Sequence, residues 1–511
     1  MYKNERKDGK RMKRRMSLVL LLALLLTSTV ALFSCKKETE TLETTGTVET
    51  KILDEWGREM IYSPLDESLY YEGETVKVIC REGNMSESQF VESELEADVL
   101  NQAIVKRNDM IKTRLGVSIE CEPTQGGNFN GAMNTKLRNQ VNSGLCEYDL
   151  VANFAYYGSA LAMEGYYYDW SKTSNLHINE PYWNQSYIEE SVIGDRMYML
   201  VNDSCLMALK YTFVTFFNKK LAADYLNNES LYAKVDSGEW TMEYFNTLLK
   251  GIYEEKDGDN QPSGGDLYGM ITSTSCQNTD AFFVGMGLRN CTFNDESGMP
   301  ELSINNDITM SGYEIVKEML FSNAGVYVNG KTTEDYVAAR ELFSASQSVF
   351  STGQLDNGGY FLTAMDDAFG ILPMPKMDES DTYTTTAQDA YDILAMLSSI
   401  SKERAEMVAA VTEYMAYASY FTTKPTYFET VTKLRYSDEY DDARMFDIIS
   451  EGMYFDFGMI YSSSVTGNGI NLGHFWRSLF QNEVSNFASH WAKYESTYSK
   501  QLQSVIDMLM E

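Results

Sequence analysis

From Thr75 onward, short apolar strands alternate with amphipathic helices, and this alternation restricts the chain to a small set of folds. Thr75–Cys80 (TVKVIC) alternates as a first strand. Leu95–Leu115 carries Leu95, Val99, Ala103, Ile104 and Ile111 at helical spacing; Gly116 stops it, and Val117–Cys121 (VSIEC) is the next strand. Gly131–Val141 is helical again and leads into Tyr148–Ala152, a short buried strand. Gly194–Val201 (GDRMYMLV) reads as a turn followed by a strand. The order predicts an α/β lobe, and a chain of this length is too long for one small core, so two or more lobes are expected.

Tyr148–Trp170 (YDLVANFAYYGSALAMEGYYYDW) is the most informative stretch. Its strand ends in a polar and aromatic corner of Asn153, Tyr156 and Tyr157 and then starts a helix. That geometry sets side chains at the carboxyl edge of a sheet, where open α/β sheets bind ligands. Packing in the core or on the surface is an equally good reading of any one of these tyrosines. The chain is 13% aromatic with 35 tyrosines. Flat rings with a polar tip suit carbohydrate, whose C–H faces stack on aromatics while its hydroxyls seek hydrogen bonds.

The amino end reads as an export signal. Eight basic residues from Lys3 to Arg15 precede the apolar run Ser17–Phe33, and Ser34-Cys35 closes it. Leu32-Phe33-Ser34-Cys35 resembles the lipobox of bacterial lipoproteins, with Phe33 bulkier than that motif prefers, so residues 1–34 are expected to be a signal peptide and Cys35 the lipidated residue. An uncleaved membrane anchor is the alternative, with a similar outcome: a tethered extracytoplasmic protein. Lys36–Thr50 is polar, without apolar period, and reads as a solvated leash; residues 35–72 together form the tether.

Setting aside the eight basic and two acidic residues of 1–34 leaves 34 Lys+Arg against 72 Asp+Glu, a net of −38. Nucleic acid and anionic lipid repel such a body, so a nucleic-acid role is excluded. The six remaining cysteines are widely and irregularly spaced with no CxxC pair, which favours buried thiols, although a Cys276–Cys291 bridge is conceivable. No cofactor or metal site is expected. The three histidines are scattered, and HExxH and GxSxG are absent. Asp366-Asp367 and Asp441-Asp442 are adjacent pairs rather than carboxylates facing across a cleft. Asp257-Gly258-Asp259-Asn260 hints at a calcium loop but lacks the EF-hand register. Trp240 and Thr241 read as structural, with Thr241 an N-cap.

From Val76 to the carboxyl end the chain resembles the extracellular solute-binding proteins of ABC importers, in the carbohydrate-binding, maltose-binding-protein-like branch. The resemblance is carried by Ala103–Arg114, Tyr148–Trp170, Pro181-Tyr182-Trp183 with Gly194–Tyr198, Phe216-Phe217-Asn218-Lys219, Leu231–Met242, Phe369–Lys376 and Met445–Ser450, in that order and spacing. It implies a two-lobe periplasmic-binding-protein-like fold of type II, with a hinge and an interlobe ligand cleft. By analogy, the chain crosses the hinge near Lys210, Thr386 and Pro425. One lobe would hold 73–209 plus 390–425, the other 211–385 plus 434–511. The function implied is a non-enzymatic lipoprotein on the outer face of a Gram-positive membrane. As a monomer it would capture a carbohydrate, an oligosaccharide in the first instance, for ABC permease subunits. The same fold binding a peptide or serving a sensor is the first alternative, and a surface glycan hydrolase a more distant one.

The resemblance also carries ligand positions. Asn153, Tyr156 and Tyr157 occupy the segment that supplies cleft contacts after the Tyr148 strand. Tyr211 sits on the hinge strand, Gln354 and Asp356 follow the strand beginning at Gln347, and Gln388, Asp389 and Tyr391 lie at the second crossing. Trp476 matches a tryptophan that stacks on sugar in these relatives; a buried core Trp with its N–H bonded is the alternative. Asn153 and Tyr156 stand where the maltose binders have Trp and Asp, which counts against maltodextrin.

Overall fold

The computed structural model describes residues 60–82, 86–93, 98–125, 131–227, 229–433, 439–462 and 472–511. The signal segment, Cys35 and the leash to Thr50 lie outside them. Every element described below belongs to the unit Tyr62–Glu511.

The first sheet has the strand order β12-β3-β1-β2, formed by β1 (Thr75–Arg81), β2 (Ser118–Thr124), β3 (Leu150–Phe154) and β12 (Asp392–Ala395). β1 runs parallel to β2 and β3, and β12 closes the other edge antiparallel to β3. The parallel strands need crossovers, supplied by helices α1 (Asp98–Leu115) and α2 (Ala132–Asn142). Gly116 ends α1 with φ +73, where a Cβ would meet the Tyr70 ring at 2.8 Å. After β3 the chain enters α3 (Ala155–Met163), then α4 (Gln185–Ser191) and α5 (Leu206–Lys210).

The second sheet has six strands, ordered β11-β4-β10-β6-β5 with β9 also on β6. These are β4 (Phe213–Asn218), β5 (Tyr253–Glu254), β6 (Leu267–Thr272), β9 (Val326–Val328), β10 (Ser348–Gln354) and β11 (Phe369–Leu372), and a separate ribbon pairs β7 (Cys291–Phe293) with β8 (Pro300–Leu302). β4, β6, β10 and β11 are buried along their whole length, as expected for strands covered on both faces. Helix α6 (Cys276–Gly285) follows β6. After β12 come α7 (Lys402–Phe421), α8 (Thr423–Lys433), α9 (Glu439–Glu451), α10 (Phe475–Gln481) and α11 (Phe487–Met510). Among the described residues no helix is long and apolar enough to cross a membrane.

Three chain segments lie side by side where the sheets meet. Phe213 N donates to Thr386 O at 2.9 Å, Gln388 N to Tyr211 O at 2.9 Å, Thr385 N to Gly452 O at 2.9 Å and Tyr454 N to Thr385 O at 2.8 Å. The middle segment is therefore paired on both edges, antiparallel at Thr212–Ala387 and parallel at Thr385–Met453. The crossings placed near Lys210 and Thr386 fall beside this junction. Pro425 lies within α8, and the third segment at the junction is Gly452–Tyr454. Behind the junction one apolar cluster joins Leu100 and Ile104 of α1 to Val214 and Phe216 of β4 and Phe369 and Ile371 of β11.

Buried polar groups tie helices to the first sheet. Asp392 accepts from Arg81 Nε at 2.8 Å, Ser86 Oγ at 2.5 Å and Gln89 Nε2 at 2.7 Å. Arg404 of α7 holds Asp149 through Nε at 2.6 Å and Nη2 at 2.8 Å. Glu413 of α7 is 0% exposed and takes three donors from the Pro181-Tyr182-Trp183 region: the Tyr182 hydroxyl, Trp183 Nε1 at 3.0 Å and His177 N at 2.9 Å. That motif is thus a clamp on a buried carboxylate. Trp240 is buried with Nε1 bonded to Pro373 O at 3.0 Å, and Thr241 caps the helix Met242–Leu249, as the sequence implies.

The expected strand at Gly194–Val201 does not form. Gly194 (φ +54) and Asp195 (φ +65) make the turn, but the residues after it form only single bridges, Leu200 with Leu394 among them. The body cysteines are free thiols, Cys80 and Cys121 on neighbouring strands having sulfurs 3.0 Å apart.

Replacing Glu413 by Leu strands three donors, two of them on the buried side chains of Tyr182 and Trp183. Urea unfolding of Glu413→Leu at pH 7 is expected to show a loss of about 3 kcal/mol. A loss under about 1 kcal/mol would mean that the clamp is dispensable.

Candidate ligand site

β3 ends at Phe154 and turns directly into α3, so Tyr156 stands at the carboxyl end of a strand. The first free N–H groups of α3 are taken by the junction: Ala155 N donates to Tyr391 O at 2.8 Å and Tyr156 N to Asp389 O at 3.3 Å. This fixes Tyr156 beside Asp389. From the other side, α10 brings His474 and Arg477, which are three residues apart and so share a face. The four surround a cavity of about 20 Å³, also walled by Gln388, Tyr391, Asp280 and Phe455. That is room for about one water. The cavity lies between elements of the two sheets.

The Tyr156 and His474 rings stack across it, centroids 5.0 Å apart at 15°. Tyr157 meets Tyr156 edge-on at 4.8 Å. Arg477 is shared by two carboxylates: Nε donates to Asp280 Oδ1 at 3.2 Å, Nη2 pairs with Asp280 Oδ2, and Nη2 donates to Asp389 Oδ2 at 3.3 Å. His474 Nε2 lies 3.6 Å from the same Asp389 oxygen. Burial works to raise Asp389, but His474 and the Arg477 charge outweigh it and hold the carboxyl at about 2. Burial raises Asp280, with Arg477 pulling it back only in part. Arg477 is pushed down by burial and more strongly up by the two carboxylates, so it stays charged.

The expected site residues divide into three groups. Tyr156, Gln388, Asp389 and Tyr391 line the cavity. Tyr157, Tyr211 and Gln354 touch residues that line it: Tyr157 packs on Tyr156, Tyr211 O accepts Gln388 N, and Gln354 Nε2 donates to Gln388 Oε1. Asp356 is linked to the group only through Tyr211, which burial raises to about 12 with Arg81 opposing and the Asp356 charge adding. Asn153 and Trp476 are elsewhere. Asn153 is 3% exposed and spends Nδ2 on Asn134 Oδ1 at 2.9 Å and Tyr167 OH at 3.1 Å, inside the first-sheet core. Trp476 is 0% exposed, donates Nε1 to Thr279 O at 2.9 Å and packs on Phe283 and Phe480. One helical step turns the face by about 100°, so the side chain next to Trp476, Arg477, is the one that reaches the cavity.

Asp280, His474 and Arg477 were not anticipated. His474-x-x-Arg477 was a legible same-face pair, whereas nothing local marks Asp280. Three other flagged carboxylates, Asp257, Asp259 and Asp367, accept hydrogen bonds. Asp367 accepts from Ser346 Oγ at 2.7 Å and Asn218 Nδ2 at 3.1 Å, and these bonds hold it below the usual range, unlike a general acid. Asp257 and Asp259 accept backbone N–H groups within their own turn.

By sequence, no family model and no curated protein matches the chain. Among solved structures the chain is similar to a cyclo/maltodextrin-binding protein in complex with maltotetraose, at TM-score 0.52 and 13% identity over 87% of this chain and 98% of that one. It is also similar to the galacto-N-biose/lacto-N-biose I-binding protein of the ABC transporter from Bifidobacterium longum, at TM-score 0.52 and 12% identity over 85% and 98%. The fold is therefore mixed α/β with two sheets, of the type II periplasmic-binding-protein kind.

Asp389 is lower in the folded chain than in the unfolded one, so its pairing stabilises the fold above about pH 4 and fades as pH falls through about 2. Asp389→Asn is expected to cost about 2 kcal/mol at pH 7 in urea unfolding, with the gap roughly halved by pH 3. A gap independent of pH would remove the charge argument.

Proposed function

We propose that this chain is an extracytoplasmic, non-enzymatic carbohydrate-binding protein that captures an oligosaccharide between its two sheets and delivers it to an ABC permease. The observation that carries this reading is the stacked Tyr156–His474 pair bordered by Asp389 and Arg477. Opening the site frees two flat rings facing one another. A sugar ring slipped between them would offer its C–H faces to the aromatics and its hydroxyls to a carboxylate and a guanidinium. Each ring stands where a sugar would stack on the other. The fold supports the reading, since the two similar structures carry maltotetraose and lacto-N-biose. The rest of the proposal comes from the sequence: a signal over 1–34, lipidation of Cys35, a tether to residue 72, lobes at 73–209 plus 390–425 and 211–385 plus 434–511, and action as a monomer. The junction at Thr385–Gln388 would act as the hinge, and the ligand would stabilise the closed form by its differential affinity.

The Asp280–Arg477–Asp389 row favours a second reading, a zwitterionic solute such as a peptide, whose termini would compete for those charges. A thermal-shift screen of the mature chain against neutral oligosaccharides and short peptides separates the two. Saturable stabilisation of about 2.7 kcal/mol at a hundredfold excess over Kd, from oligosaccharides alone, is expected. Tyr156→Ala is expected to weaken that binding at least tenfold. Trp476→Phe should lower stability by about 1–3 kcal/mol without changing affinity. A response to peptides alone, or a sugar recovered cleaved, would contradict the proposal.

A further inference from the structure

A second pocket, of about 290 Å³, lies beyond the aromatic layer that backs the cleft. The layer is Tyr187, Tyr391 and Phe455, with ring centroids 5.1–6.3 Å apart. Tyr391 and Phe455 wall the cleft cavity, and Ser186, next to Tyr187, lines the second pocket and accepts Phe455 N at 3.0 Å. One layer of rings thus separates the two.

The pocket's wall has a mixed chemistry. Trp183 backs the wall, its ring 2% exposed and held in place by its bond to Glu413. Lys424 and Asp203 form an ion pair at 2.8 Å that is part exposed, 23% and 14%, and Glu451 stands exposed beside them. Asn202 is 4% exposed and gives its amide oxygen to Ser204 N at 2.9 Å and Ser204 Oγ at 2.6 Å, while its Nδ2 has no partner. Two carboxylates and an ammonium, with the polar side chains of Asn184, Gln185 and Ser186, offer donors and acceptors to a neutral molecule rich in hydroxyls, which both donate and accept. The volume is at the small end of the roughly 300–1,000 Å³ of small-molecule pockets, which suits one sugar ring rather than a chain.

We infer that this pocket is a second ligand site, for a neutral polyol of monosaccharide size. It is built from both sides of the junction: Trp183, Asn202 and Asp203 come with α4 and α5, whereas Glu451 and Met453 belong to the end of α9 and the third junction segment. A molecule bound there touches both sides of the junction, so a motion at the junction would change its contacts. It therefore biases the cleft, and by linkage a cleft ligand changes the pocket's affinity by the same factor. The inference does not depend on what the cleft binds.

The test is titration calorimetry of the mature chain with D-glucose, D-galactose and D-xylose, on wild type, the cleft variant Tyr156→Ala, and the pocket variants Glu451→Ala and Ala208→Phe. Glu451 is exposed, so its variant leaves the fold intact even where Ala208→Phe, which fills the pocket, does not. Saturable binding of at least one monosaccharide is expected in wild type and in Tyr156→Ala, weakened tenfold or more in Glu451→Ala and abolished in Ala208→Phe. No saturable binding of any of the three would overturn the inference. So would binding that disappears in Tyr156→Ala, or that persists unchanged in both pocket variants.

Discussion

The segment Thr385–Gln388 is hydrogen-bonded along both edges, to Tyr211–Phe213 on one side and Gly452–Tyr454 on the other. Two sheets with separate strand orders are thereby joined through backbone bonds rather than through side chains alone. Backbone pairing is a directional constraint, and it fixes what comes next in the chain. Asp389 and Tyr391 follow immediately, their carbonyls accept the first N–H groups of α3, and Tyr156 is set at the mouth of β3. The site is where it is because this strip is where it is.

Charge then decides how the site holds itself shut. Arg477 sits between Asp280 and Asp389, and His474 stacks on Tyr156 while leaning on Asp389. Each of these groups would be costly to bury alone, and together they compensate one another. A ligand entering here, as proposed, would have to replace those partners with hydroxyls or charges of its own. On the proposed reading, Asp389 and Arg477 would discriminate among solutes, since a cavity of about 20 Å³ leaves no room for a preformed apolar hole.

Much of this was legible along the chain. The strands at β1, β2 and β3 and the helices between them follow directly from apolar periodicity and from the stop at Gly116. The aromatic corner at Tyr156 and Tyr157 and the polar run Gln388–Asp389 also meet at the site. The Gly194–Val201 segment was misleading because its apolar residues pack in the core without a neighbouring strand long enough to pair with. Asn153 and Trp476 were displaced by one step of geometry each. β3 turns Asn153 inward to Asn134 and Tyr167, and α10 turns Trp476 toward Thr279 while Arg477 faces the cavity. Asp280 was invisible because only tertiary packing brings residues 280 and 477 together.

The most direct measurement is a crystal structure of the chain grown with an oligosaccharide that stabilises it. A sugar ring is expected to lie between Tyr156 and His474, with its hydroxyls bonded to Asp389 and Arg477 and the Arg477–Asp389 contact broken or shared. The two rings still stacked on each other, with the sugar bound outside the junction of the sheets, would contradict it.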